Sequence, residues 1–137
     1  MIIGYTSGVY DLFHVGHLNI LRKAKSMCDK LIVGVTTDEL AREKVRRTII
    51  PFNERIEIIQ SIVYVDAAVP QDSYDKISAW QKYNFDLMFV GDDWQNSERF
   101  NEIENKLNQQ NVKIIYFPYT KNTSSTLINK TLVSLRK

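Results

Sequence analysis

Apolar residues recur along this chain with two alternating periods. Residues 2–6, 31–36, 64–69, 87–90 and 112–117 are short runs rich in β-branched and aromatic side chains, a composition that predicts strands. Between them the apolar positions fall at helical spacing. Leu18, Leu21 and Ala24 share one face, while Arg22, Lys23 and Lys25 point elsewhere. A second helix is predicted over about residues 53–62, with Asn53 as its N-cap and Ile56, Ile59 and Ile62 as its apolar stripe. Further helical patterns cover 74–83 and 97–109. A last helix begins near Ser124 and Ser125 and carries Leu127, Ile128, Leu132 and Leu135.

Five repeats of strand then helix imply parallel pairing, because consecutive parallel strands need a crossover connection. Right-handed crossovers then restrict the topology to a doubly wound sheet. The expected class is α/β, a single Rossmann-like domain over residues 1–137 with a five-stranded parallel sheet in the order 3-2-1-4-5 and helices on both faces. Residues 39–51 break the pattern: they hold Arg42, Lys44, Arg46 and Arg47 with little apolar content, and are expected to form a basic functional loop. In open sheets of this kind, ligands bind beyond the carboxyl ends of the strands where the order reverses. The reactive residues follow the strands accordingly, at 8–17 after the first, 91–94 after the fourth and 119–126 after the fifth.

Composition narrows the class further. The 18 Lys and Arg against 16 Asp and Glu leave a net charge of +2, too small to announce a nucleic-acid or membrane surface. No apolar run approaches the roughly 18 residues of a membrane span, and the N-terminus lacks the pattern of a signal peptide. A single cysteine, Cys28, excludes an intrachain disulfide. These features set the expectation of a cytoplasmic domain with no nucleic-acid or membrane partner.

The chemistry is concentrated in Gly8-Val9-Tyr10-Asp11-Leu12-Phe13-His14-Val15-Gly16-His17, a strand end turning into a helix. A helix N-terminus presents unpaired N–H groups and favours an anion. Gly8 and Gly16 let backbone and phosphate approach closely. His14 and His17 share a face of the first turn, where two imidazoles can donate hydrogen bonds to phosphate oxygens as charge builds in a transition state. The competing readings are a pair of histidines that only cap or pack, and a zinc site. Zinc fits poorly, because the spacing is not that of a zinc-binding helix and Cys28 is too distant to join. No protein-side metal ligands are assigned. Asp11 is expected to hold the turn by accepting backbone N–H bonds.

His14-Val15-Gly16-His17 after a glycine-ended strand resembles the HxGH signature of the nucleotidylyltransferase superfamily, and Gly8 to His17 resembles its cytidylyltransferase branch. The match to the bacterial glycerol-3-phosphate cytidylyltransferases extends over nearly the whole chain. It takes in Thr36-Thr37-Asp38-Glu39, Lys44, Arg55, Tyr64-Val65-Asp66, Gly91-Asp92-Asp93-Trp94 and Ser124-Ser125-Thr126. The resemblance implies transfer of CMP from CTP to a small phosphorylated alcohol, with Mg²⁺ as cofactor of the triphosphate and pyrophosphate as leaving group. It implies His14, His17 and Lys44 as catalytic residues. For the nucleotide it implies Gly8, Val9, Tyr10, Asp11, Gly16, Arg46, Asp92, Asp93, Thr120, Thr123, Ser124, Ser125 and Thr126. For the acceptor it implies Lys44, Arg55, Lys76 and Trp94. Arg55 has other readings: it buttresses the basic loop, or pairs with Glu54 or Glu57 on its own helix. A homodimer is implied by the family alone.

The chain also departs from the family pattern. Tyr119 stands where these enzymes carry an arginine and Asn122 where they carry a glycine, at the entry to the last helix. Val63 replaces an arginine before Tyr64-Val65-Asp66, and Val9 a threonine. Three alternatives therefore stand beside the first reading: another acceptor such as glycerol 2-phosphate or an amino-alcohol phosphate, ATP in place of CTP, and a nucleotide-binding module without catalysis.

Overall fold

The alternation of short apolar runs and helical stretches resolves into one layered sheet. The computed structural model describes residues 1–44, 47–91 and 97–118, with Lys44 described by its backbone alone. In chain order the elements are β1 (Ile3–Gly8), α1 (Val15–Ser26), β2 (Lys30–Thr36), α2 (Asp38–Lys44), α3 (Phe52–Gln60), β3 (Ala67–Gln71), α4 (Lys76–Tyr83), β4 (Leu87–Gly91), α5 (Glu98–Gln109) and β5 (Lys113–Phe117). The five strands pair in parallel in the order β3-β2-β1-β4-β5, as expected from the sequence.

The strand pleat sends alternate residues to two apolar layers. On one face Leu31, Val33, Val35, Phe89 and Phe117 pack with Leu21 and Ala24 of α1 and Ile59 of α3. On the other, Tyr5, Ile32 and Met88 pack with Phe85, Phe100, Leu107 and Val112. Leu21, Leu31, Ile59 and Leu107 are wholly removed from water, each contributing about 1.5–3 kcal/mol, so the two faces rather than the connections hold the fold.

The pairing also shapes the upper edge. β1 and β2 stay in register through six pairs, ending at Gly8↔Val35. β1 and β4 pair only at Gly4↔Leu87 and Tyr5↔Met88. Above that point the Thr6 hydroxyl donates to the Phe89 carbonyl at 3.0 Å, a side chain standing in for the ladder. The two strands on either side of the order reversal thus cease pairing early, which leaves room for a ligand at the switch point.

Three elements differ from the sequence expectation. The third strand was expected at 64–69 and lies at Ala67–Gln71. It includes Pro70, whose missing N–H is tolerated because β3 is an edge strand paired only with β2. Asn53 does not cap the next helix: Pro51 does, and the Phe52 N–H is satisfied by the Asp38 carboxylate at 3.1 Å. The segment expected as a basic loop begins as a helix. Thr37 Oγ1 accepts from the Leu40 N–H at 3.2 Å, Asp38 and Glu39 occupy the first turn, and Leu40 and Ala41 are buried. The helix expected after Ser124 lies outside the described residues.

Candidate active site

The turn between β1 and α1 is built around an unusual backbone path. Tyr10 and Leu12 have φ of 55° and 52°. Left-handed backbone at a side-chain-bearing residue costs about 1–2 kcal/mol, so the surroundings must hold both in place. Asp11, between them, does so with its carboxylate, which accepts from the Ile49 and Ile50 N–H groups at 2.9 Å each. The bonds are of the expected kind, but their donors lie 38 and 39 residues away rather than in the turn itself. Asp11 and the Tyr10 ring were both expected among the nucleotide contacts. The Asp11 carboxylate is buried on the returning chain, and Tyr10 is a core side chain packed with Leu21 and Val35. Gly8 suits that packing, since a Cβ there would lie 3.0 Å from the Tyr10 ring, closer than ordinary contact.

His14 is the N-cap of α1, extended at φ −142° and ψ 179°. Its Nδ1 accepts from the Gly16 N–H at 3.0 Å, and His17 Nδ1 accepts from the His14 N–H at 3.3 Å. The two histidines therefore do cap the helix, and this capping has a chemical consequence. A neutral imidazole that accepts at Nδ1 carries its proton on Nε2. Both rings are thus set as Nε2–H donors by the helix end they cap. Burial, with the neighbouring His14 adding to it and Asp11 opposing it, lowers the His17 pKa to about 4. Burial lowers that of His14 as well. The rings stack with centroids 4.0 Å apart and planes 26° apart, with Tyr10 edge-on to His17 at 5.4 Å and Phe13 against it at 5.3 Å. Among the described residues, the buried His14 Nε2 has no hydrogen-bond partner. A buried donor left open at a carboxyl edge marks a place for an acceptor the protein does not supply.

Arg55, expected at the acceptor, sits differently. It is fully buried, and Nε donates to the Ile50 carbonyl at 2.9 Å, Nη1 to the Val9 and Thr36 carbonyls at 2.7 Å each, and Nη2 to Asp38 at 2.7 Å. Neither Glu54 nor Glu57 pairs with it. Burial raises the Asp38 carboxyl, but bonds from the Phe52 N–H, Arg55 and Thr48 outweigh this and hold it below its ordinary value. Arg55 and Asp38 therefore clamp residues 48–52 onto the histidine turn. This geometry gives Arg55 a positioning part in place of direct contact with an acceptor. Val9 takes part through its carbonyl.

Lys76 opens α4, whose N-terminus Asp75 caps through the Ile77 and Ser78 N–H groups. Its Nζ reaches the Ser7 hydroxyl at 2.9 Å, near the end of β1. Strand end, histidine turn and Lys76 thus meet at one edge of the sheet, with Lys44 at the end of α2. Arg46, Asp92, Asp93, Trp94, Thr120, Thr123, Ser124, Ser125 and Thr126 lie outside the described residues. Sequence reasoning did not single out Asp38 as a functional side chain, although it quoted Asp38 within a motif. Among the described residues there is no group of three or more His, Cys, Asp and Glu placed to hold a metal ion.

The cytidylyltransferase-like family model matches residues 5–131. A glycerol-3-phosphate cytidylyltransferase from Bacillus spizizenii is 35% identical over 131 residues, which span 95% of this chain and 96% of the relative. One from Staphylococcus aureus is 33% identical over 128 residues, 93% of this chain and 92% of the relative. In structure, the lipopolysaccharide core biosynthesis protein from Thermoplasma volcanium superposes with a TM-score of 0.74 at 27% identity, covering 90% of this chain and 99% of that one. The chain belongs to the cytidylyltransferase-like family.

Proposed function

We propose that this protein transfers CMP from CTP to glycerol 3-phosphate, giving CDP-glycerol and pyrophosphate. The activity of the bacterial relatives, matched over nearly their whole length, supports the substrates. The observation that carries the chemistry is the histidine pair with both Nδ1 atoms engaged by backbone N–H groups, which leaves Nε2–H as the outward donor on each ring.

In the reaction a phosphate oxygen of the acceptor attacks the α-phosphorus of CTP in line. A new P–O bond forms as the bond to the β-phosphate breaks, and the electron pair leaves with pyrophosphate. No covalent enzyme intermediate is needed, so the protein positions reactants and stabilises charge. His14 and His17 donate from Nε2 to oxygens of the α- and β-phosphates, bonds that strengthen as negative charge develops. Their low pKa values keep the proton on Nε2 and leave Nδ1 on the helix cap. The α1 N-terminus adds partial positive charge. Lys44 and Arg46 supply cations to the phosphates, and Lys76 binds the acceptor phosphate.

Mg²⁺ bound with CTP would supply charge stabilisation to the leaving pyrophosphate. Among the described residues, the Asp11 and Asp38 carboxylates are engaged with backbone amides and Arg55 and do not form a cage for it. The same reading carries a cytoplasmic homodimer serving synthesis of a cell-surface polymer; sedimentation velocity tests the dimer. Among the described residues no helix is long and apolar enough to cross a membrane.

The test is pyrophosphate release with Mg²⁺ and CTP against a panel of phosphorylated alcohols, with ATP in parallel. Release with CTP and glycerol 3-phosphate is the expected result. Release only with another acceptor or only with ATP moves the specificity and keeps the chemistry. Binding of CTP without release across the panel replaces the enzyme by a nucleotide-binding module.

A further inference from the structure

The sheet face that packs against α4 changes character at its carboxyl edge. Tyr5 and Ser7 of β1, Gly34 and Thr36 of β2, and Val69 and Gln71 of β3 point to this one face by the pleat, with Ser7 beside Gly34 and Thr36 beside Gln71. The lower members join an apolar layer; the upper members, Ser7, Thr36 and Gln71, are polar. Thr36 and Gln71 are 1% and 6% exposed, so their polar groups need protein partners. They have them in sequence: Thr36 Oγ1 donates to Gln71 Oε1 at 2.6 Å, and Gln71 Nε2 donates to Ser7 Oγ at 3.3 Å. Lys76 Nζ donates to the same Ser7 oxygen at 2.9 Å.

The polarity of the chain has one direction. Thr36 donates to the carbonyl end of the Gln71 amide, which turns the amide NH₂ towards Ser7. Ser7 therefore receives two bonds and keeps its own proton to give onward, and the Tyr5 hydroxyl is its neighbour. Tyr5 reaches that place because β2 carries glycine at position 34, where a Cβ would stand 2.5 Å from the Tyr5 oxygen. The row is thus fixed at both ends by buried groups. A lysine side chain on its own is a flexible four-carbon stem. Here its ammonium rests on a rigid hydroxyl at the end of β1, the strand that leads directly into the histidine turn. Ser7 is not the only contact of Lys76.

We propose that Ser7, Gln71 and Thr36 are positioning residues that aim the Lys76 ammonium at the acceptor phosphate and so set affinity for the acceptor rather than for the nucleotide. This rests on the cytidylyltransferase reading above and adds to it a row of side chains that touch neither substrate. Holding the ammonium in place lowers the ordering cost of acceptor binding, which appears in the acceptor KM.

The experiment compares wild type with Ser7→Ala, Thr36→Val and Lys76→Ala, and with Ser7→Ala combined with Lys76→Ala. KM for CTP and for the acceptor are measured separately in each. Ser7→Ala is expected to raise the acceptor KM about tenfold, the scale of a lost hydrogen bond to a charged group, with the CTP KM within twofold of wild type. Thr36→Val, further from the ammonium, is expected to raise it about threefold. In the Lys76→Ala background, removing the Ser7 hydroxyl adds no further increase. An unchanged acceptor KM in Ser7→Ala overturns the inference, as does an equal rise for CTP or a multiplicative effect in the double variant. Wild type that releases no pyrophosphate with any acceptor overturns the cytidylyltransferase reading itself, so the two failures are distinct.

Discussion

Two buried polar clusters stand side by side at the carboxyl edge of the sheet, and their hydrogen bonding is opposite in kind. Around Arg55 the groups are closed on one another: the guanidinium bonds three carbonyls and Asp38, and Asp38 also accepts from Thr48 and Phe52. In the histidine turn each ring uses one nitrogen on the helix cap, and His14 Nε2 is buried with no partner among the described residues. A closed cluster fixes structure, whereas an open one awaits a ligand. From the sequence alone Arg55 and the two histidines were all implied as substrate contacts, with buttressing of the basic loop as another reading of Arg55, and the pattern of satisfied groups separates them.

The comparison is broken most directly at Arg55. Arg55→Met removes a buried cation, leaving Asp38 without its ion pair and three carbonyls without the guanidinium, so stability should fall by about 3–5 kcal/mol in urea unfolding. A loss below 1 kcal/mol would show that the clamp carries no structural role. At the open cluster the expectation reverses. His14→Ala and His17→Ala should each lower kcat by about 10²–10³-fold, as for removal of one donor to a transition state, with a far-UV circular dichroism spectrum like wild type. Near-normal turnover in either variant would remove the histidines from the chemistry.

Asp11 belongs structurally to the closed kind although it lies within the histidine motif. Asp11→Ala leaves the Ile49 and Ile50 amides unpaired and should cost about 1–3 kcal/mol for each that stays buried, measured by thermal or urea unfolding. Activity is expected to fall less than in the histidine variants when assayed at a temperature where the protein is folded.

A further effect is pH-dependent. The His17 pKa is near 4 in the folded chain and 6.5 as a free group, so below 6.5 the unfolded chain binds the extra proton first. Stability from this group is present in full above pH 6.5, declines as pH falls from 6.5 towards 4, and declines no further below. Unfolding measured across that window should show a slope that His17→Ala reduces. An identical slope in the variant would place the titration elsewhere.

Much of the fold was legible because it depends on local periodicity. The runs containing Leu31 to Val35 and Leu87 to Phe89 carry their strand character within a few residues, and the crossover rule then orders them. The HxGH turn was legible for a similar reason, since its residues are consecutive and their chemistry depends on a strand end meeting a helix start. Contacts across long separations were not. Nothing near Phe52 shows that its N–H is capped by Asp38, and nothing near Asp11 shows that it grips Ile49 and Ile50. The third strand was placed too early along the chain because the apolar run 64–69 stops before Pro70, which an edge strand tolerates. Helix α2 was hidden by its basic residues, while Leu40 and Ala41 were too few to give a stripe.

The space beside Gly34 has a bearing on how this sequence can change over time. The Tyr5 hydroxyl occupies the volume that any side chain at position 34 would claim. Positions 5 and 34 are same-face neighbours on adjacent strands, related through Tyr5↔Ile32 and Ser7↔Gly34, so a side chain at 34 depends on what stands at 5. A lineage that acquires alanine at 34 must first give up the phenol at 5, for instance through a leucine intermediate. The dependence runs one way: position 5 is free to change first, and a replacement at 34 should persist only in descendants that have already changed at 5.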